Sequence, residues 1–152
     1  ILAHAVYGWM PTILDLFPKK DYDYESTLKI LNKAKNHGRL EKAELEILKA
    51  CINNSIVGAS KLLHMIVPDK YPIWDSKIYQ FLYAKGGKVH SYQVNNTDKY
   101  VEYIELLEHN HLQDPRFPEF YDAIKKKLDY PVSKFRAIEM AMFQHIKNQE
   151  TA

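Results

Sequence analysis

Three observations predict an all-α fold for this chain of 152 residues. Apolar residues recur every three to four positions in one segment after another, the spacing that gathers them on one side of a helix. The segments are bounded by residues that start or stop helices. Glycine and proline number only five and seven, too few for a loop-rich β domain. The expected architecture is a single compact multi-helix domain spanning 1–152, of about seven or eight helices, with room for a helix-hairpin-helix.

The elements follow in order. Residues 3–17 are apolar but carry Pro11, which predicts a short helix, a break, and a second short helix with Ile13, Leu14 and Phe17 inward and Pro18 as its stop. Segment 24–37 places Leu28, Ile30, Leu31 and Ala34 on one side and ends at Gly38, a natural C-terminal stop. Segment 41–52 has Leu45, Leu48 and Ile52 at helical spacing, with Glu41, Glu44 and Glu46 near its start, where the helix dipole favours acids. Asn53-Asn54-Ser55 is a polar break with capping residues, and 56–67 is the next helix, containing Gly58 and ending at Pro68.

Asp75 opens a helix over 76–85 that Gly86-Gly87 closes. Residues 88–95 read as a loop or as the one short strand of the molecule. Asn96-Thr97 starts a helix over 98–109 with Tyr100, Val101, Ile104 and Leu107 inward, and Pro115 and Pro118 frame another over 117–128. Pro131 suits the first turn of a last helix over 132–148, whose apolar side is Phe135, Ile138, Met142 and Phe143.

Composition sets wide bounds on function. An apolar share of 46% with 12% aromatic excludes global disorder. No stretch is apolar for long enough to span a bilayer, so a membrane is not an expected partner. The only cysteine is Cys51, which excludes an internal disulfide framework, suits a reducing compartment and gives a cytoplasmic expectation. The opening residues do not read as a signal peptide, and the missing initiator Met points to a trimmed start with residues missing before Ile1. A net charge of +2 permits an anionic partner without requiring one. Basic residues gather in two places: Lys29, Lys33, Lys35, Arg39 and Lys42, and the run Lys125-Lys126-Lys127.

One segment carries chemical information. It runs from Ser55 through Gly58-Ala59-Ser60-Lys61 and Pro72-Ile73-Trp74-Asp75. It places a lysine early in one helix and an aspartate at the start of the next, fourteen positions later. Over residues 41–82 this order resembles the helix-hairpin-helix DNA glycosylase superfamily, which includes the endonuclease III and 8-oxoguanine glycosylase branches. Where that family has two glycines in its hairpin, this chain has Gly58 alone.

The resemblance implies a DNA-binding, base-excision glycosylase/lyase-like protein acting on duplex DNA without a cofactor or a metal. Lys61 would be the amine that attacks the sugar and forms a Schiff base, and Asp75 would support the reaction and stabilise the cationic sugar. The amides of Val57, Gly58, Ala59 and Ser60 would hold a phosphate, Lys125, Lys126 and Lys127 would contact the DNA backbone, and Trp74 would stack on an extruded base.

Plainer roles stand beside each of these. Asp75 is an excellent N-cap, Lys61 fits a surface position, Gly58 suits close helix packing, and Trp74 suits a core anchor. His109 and His111 lie two apart, which keeps them from facing each other on a helix, and no metal motif follows them. The rival reading is a non-enzymatic helical module that binds DNA or protein. The two readings separate on whether Lys61 and Asp75 share a concave pocket.

Overall fold

The computed structural model describes residues 2–7, 14–16, 23–84 and 87–150. Among these it has nine α-helices and no strand. They are α1 (Leu2–Tyr7), α2 (Tyr24–His37), α3 (Lys42–Cys51), α4 (Ile56–Ile66), α5 (Ser76–Tyr79), α6 (Ser91–Val94), α7 (Thr97–Leu106), α8 (Phe117–Lys127) and α9 (Lys134–Glu150). Two of them run on into wider π turns, α5 through Gln80–Ala84 and α7 through Leu107–His111.

The caps explain most of the boundaries. Asp23 accepts from Glu25 N at the head of α2, and Ser55 accepts from Gly58 N at the head of α4. Asn96 accepts from Lys99 N at the head of α7. Glu41 and Glu44 form a capping box on α3, with Glu41 N donating to Glu44 Oε2 at 2.7 Å. Each bond occupies a terminal amide that has no partner inside its own helix.

The core is aromatic at its centre. Trp74 is fully buried, ringed by Tyr79, Tyr83, Tyr100 and Tyr103. Around it pack Ile30 and Ala34 of α2, Leu45 and Leu48 of α3, Ile56, Ala59 and Leu63 of α4, and Phe135, Ile138 and Met142 of α9. A smaller cluster of Cys51, Ile52 and Leu62 lies under Leu14.

Four expectations need correction. Residues 14–16 are extended, not helical: Leu16 bridges Ile52, and Asn53 captures Asp15 by donating N–H to its carbonyl (2.9 Å) and accepting its N–H on Oδ1 (2.7 Å). Pro11, Ile13, Phe17 and Pro18 lie outside the described residues. Segment 88–95 contains α6 instead of a strand, because Gln93 Oε1 accepts from His90 N and closes a helical turn. Leu28 and Phe143 point outward, since Thr27, Ile30 and Ala34 on α2, and Phe135, Ile138, Met142 and Ile146 on α9, define the buried stripes. No described helix is long and apolar enough to cross a membrane.

Candidate functional site

The α3–α4 hairpin turns on Asn53 and Asn54, both at positive φ (53° and 48°). Asparagine tolerates this left-handed region better than most residues with a side chain. The turn is therefore Asn53-Asn54-Ser55, while Gly58 is a buried helical residue in the first turn of α4. The single glycine of the motif serves packing rather than turning. Asn95 fastens the turn from the far side: its Oδ1 accepts from Ile56 N at 2.9 Å, and its Nδ2 donates to Asn54 O at 2.8 Å.

After α4 the chain crosses the core as an extended connector, Tyr71 to Asp75, and five elements pin it. Tyr71 Oη donates to Gly38 O (2.9 Å) and accepts from Leu40 N (2.8 Å). Its carbonyl accepts from His64 Nδ1 at 2.7 Å, which fixes the ring tautomer; burial lowers the His64 pKa. Pro72 O accepts from Tyr100 Oη at 3.0 Å. Ile73 N donates to Glu139 Oε1, and Trp74 N donates to Ser60 Oγ at 3.1 Å. Trp74 Nε1 donates to Val94 O at 2.7 Å. A buried backbone group without a partner costs about 1–3 kcal/mol, and these bonds supply partners to most of the connector's backbone groups.

That pinning sets the site. The Ser60–Trp74 bond joins α4 to the connector one residue before Lys61 and one residue before Asp75. Both following side chains accordingly line one open cleft of about 720 Å³. Asp75 Oδ1 accepts from Lys77 N (2.9 Å) and Ile78 N (3.0 Å), capping α5. Both bonds fall on the same oxygen, so Oδ2 has no partner among the described residues. No hydrogen bond or ion pair engages the Lys61 ammonium among those residues either.

The rest of the lining suits a polar ligand with an apolar part. Asn53, Asn54, Ser55 and Asn95 make one lip, and Lys77 and His90 stand on the α5 and α6 side. Val57, Val89, Val94 and Phe143 supply apolar wall, with Phe143 43% exposed.

The other sequence candidates divide. Val57 lines the cleft, but Gly58, Ala59 and Ser60 are buried, and the amides of Gly58 and Ala59 are spent on Ser55 Oγ and Ser55 O. An amide nest over 57–60 is thus closed to a ligand except at Val57. Trp74 is a core anchor: at 0% exposure, with four tyrosines around it, it offers no face to a base. Lys125, Lys126 and Lys127 are exposed on α8 and are not among the cleft-lining residues. Lys125 is paired with Asp122 at 2.7 Å. Among the described residues no group of three or more His, Cys, Asp or Glu is arranged to hold a metal.

Sequence reading missed His90, Asn95 and Phe143. Asn95, next to the capping Asn96, was open to notice as a second polar residue at a helix start. Phe143 sits beside Met142 in a helical stripe and carried no distinguishing signal. Comparison with protein-family models, with curated proteins and with solved structures finds no match to this chain.

Proposed function

We propose that this protein is a helix-hairpin-helix DNA glycosylase/lyase-like enzyme whose nucleotide site is the cleft shared by Lys61 and Asp75. The observation that carries the reading is that these two side chains, from separate elements, open into one cleft from a scaffold pinned on every side. Bases do not react within a duplex, so the target nucleotide is extruded into the cleft. Phe143, not Trp74, is an aromatic side chain that lines the cleft for it.

Lys61, after its ammonium gives a proton to solvent, adds its nitrogen lone pair to sugar C1′. The C1′–base bond breaks, its electron pair leaves with the base, and the base takes a proton from solvent. Loss of a proton from nitrogen and opening of the ring at O4′ give the Schiff base. The open Oδ2 of Asp75 faces the positive charge that grows on the sugar, and a fixed carboxylate stabilises it without reorganising.

The test is borohydride trapping on duplex DNA containing an abasic site, because only a Schiff base is reduced to a permanent amine link. Wild type is expected to form the adduct and Lys61→Ala none, with unchanged melting temperature. Asp75→Asn retains the cap and loses most of the activity. Adduct formation by Lys61→Ala, or none by wild type, overturns the catalytic role. A second reading, a non-enzymatic binding module, is favoured by the two amides already held by Asp75 Oδ1. It expects Asp75→Asn to be tolerated in every assay and Asp75→Ala to lose about 1 kcal/mol of stability.

A further inference from the structure

Beside the cleft, His90 and Tyr92 stack on each other with ring centroids 5.7 Å apart and planes 19° from parallel. His90 belongs to the cleft lining, so the stack begins at the cleft and extends outward from it. Tyr92 is 74% exposed, and its hydroxyl makes no hydrogen bond among the described residues. Its ring lies nearly parallel to His90 and most of its surface meets solvent.

The backbone beneath the stack is anchored to the core and to the hairpin turn. Both rings sit at α6, a helix of four residues held by three bonds at its end: Trp74 Nε1 to Val94 O, Ile56 N to Asn95 Oδ1, and Asn95 Nδ2 to Asn54 O. These bonds tie the end of α6 to the hairpin turn and to the core, which places the stack beside the cleft that Lys61 and Asp75 line. An anionic strand meets cations here: Lys61 lines the cleft, and Lys88 is exposed two residues before His90.

We infer that the His90–Tyr92 stack is a platform for an unpaired nucleobase next to the nucleotide in the cleft, so that the site takes single-stranded or locally opened DNA in preference to a fully paired duplex. The inference rests on the cleft being a nucleotide site as proposed above. A base stacks on an exposed aromatic ring through its flat face, which is sequence-tolerant. In an intact duplex both faces of every internal base are already covered by neighbours. Only a strand with an unpaired base has a face to offer Tyr92.

The experiment uses a short single-stranded DNA carrying 2-aminopurine, whose fluorescence is quenched on stacking, with the matched duplex as its partner measurement. The whole chain is assayed at low salt as wild type, Tyr92→Ala and Tyr92→Phe. Wild type is expected to bind the single strand more tightly than the duplex and to quench the probe. Tyr92→Ala weakens single-strand binding about tenfold and removes the quench, since one base–aromatic stack is lost. Tyr92→Phe keeps both, and an exposed residue leaves the melting temperature where it was. Equal single-strand affinity in Tyr92→Ala, or a wild-type preference for the duplex, overturns the inference. So does a ribonucleotide strand bound tenfold tighter than the deoxyribonucleotide one, which moves the site to RNA. Single-strand binding and quench without borohydride trapping sinks the enzyme and leaves the platform standing; trapping without them does the reverse.

Discussion

Tyr100 and Tyr103 lie one turn apart on α7, both fully buried, and their hydroxyls meet opposite fates. Tyr100 Oη donates to Pro72 O at 3.0 Å, while Tyr103 Oη has no hydrogen-bond partner among the described residues. Burial raises both phenols well above their ordinary values, so each stays protonated with a proton to place. Deleting a satisfied hydroxyl strands its partner, whereas deleting an unsatisfied one removes a desolvation penalty. Tyr100→Phe is therefore expected to destabilise by about 1–2 kcal/mol, and Tyr103→Phe to be neutral or stabilising. Chemical denaturation of the two variants beside wild type checks this, and an equal loss in both would show that Tyr103 has a partner after all.

At the scale of elements, the hairpin turn and α6 behave as one unit because Asn95 joins them. Asn95→Ala removes the acceptor for Ile56 N and the donor to Asn54 O, with an expected loss of about 1–3 kcal/mol. The turn itself is set by backbone sign. Asn54→Gly should stay within about 0.5 kcal/mol of wild type, whereas Asn54→Val, a branched side chain at positive φ, should cost about 1–2 kcal/mol. Urea midpoints for the three variants test both statements. The helices were legible because periodicity and caps are local: Ser55, Asp75 and Asn96 all cap where their sequence says they should. Residues 14–16 and 88–95 were not, because their conformations are imposed by Asn53 and by Gln93, Trp74 and Asn95, some of them many residues away. The site was half legible for the same reason. Lys61 and Asp75 lie within one stretch of sequence, but Phe143 reaches the cleft only through the docking of α9.

The molecule as a whole carries an acid–base coupling at its centre. Glu139 is 2% exposed, accepts from Ile73 N, and pairs with Arg136 at 3.0 Å. Burial raises its carboxyl to about 7, with Asp75 adding repulsion, against the opposing pull of Arg136 and the Ile73 amide. Between about 4.5 and 7 the folded protein thus holds a proton that the unfolded chain has released. The sign follows: stability from this group is present at low pH and is lost as pH rises through the window, by about 3 kcal/mol in all. His64 runs the other way, because burial lowers its pKa and its folded form binds fewer protons. The difference between wild type and Glu139→Gln isolates the carboxyl. That difference should favour wild type less at pH 8 than at pH 5, and a difference independent of pH would refute the coupling.

The pinned connector also dictates when the cleft can come into being. Its bonds reach partners 14, 20, 28, 31, 33 and 66 residues away, and the most distant is Glu139 on α9. Contacts this far apart in sequence form late, because long loops must close before they are rewarded. A nascent chain emerging from the ribosome completes α2, α3 and α4, with Lys61 in place on its helix, long before α9 exists. Until then Ile73 N lacks its Glu139 acceptor, and the connector is held only by nearer partners such as Ser60, Val94, Tyr100, Gly38 and Leu40. The stretch that ends at Asp75 is thus made early and receives its last tie from the final helix, so synthesis of α9 completes the pinning of the connector.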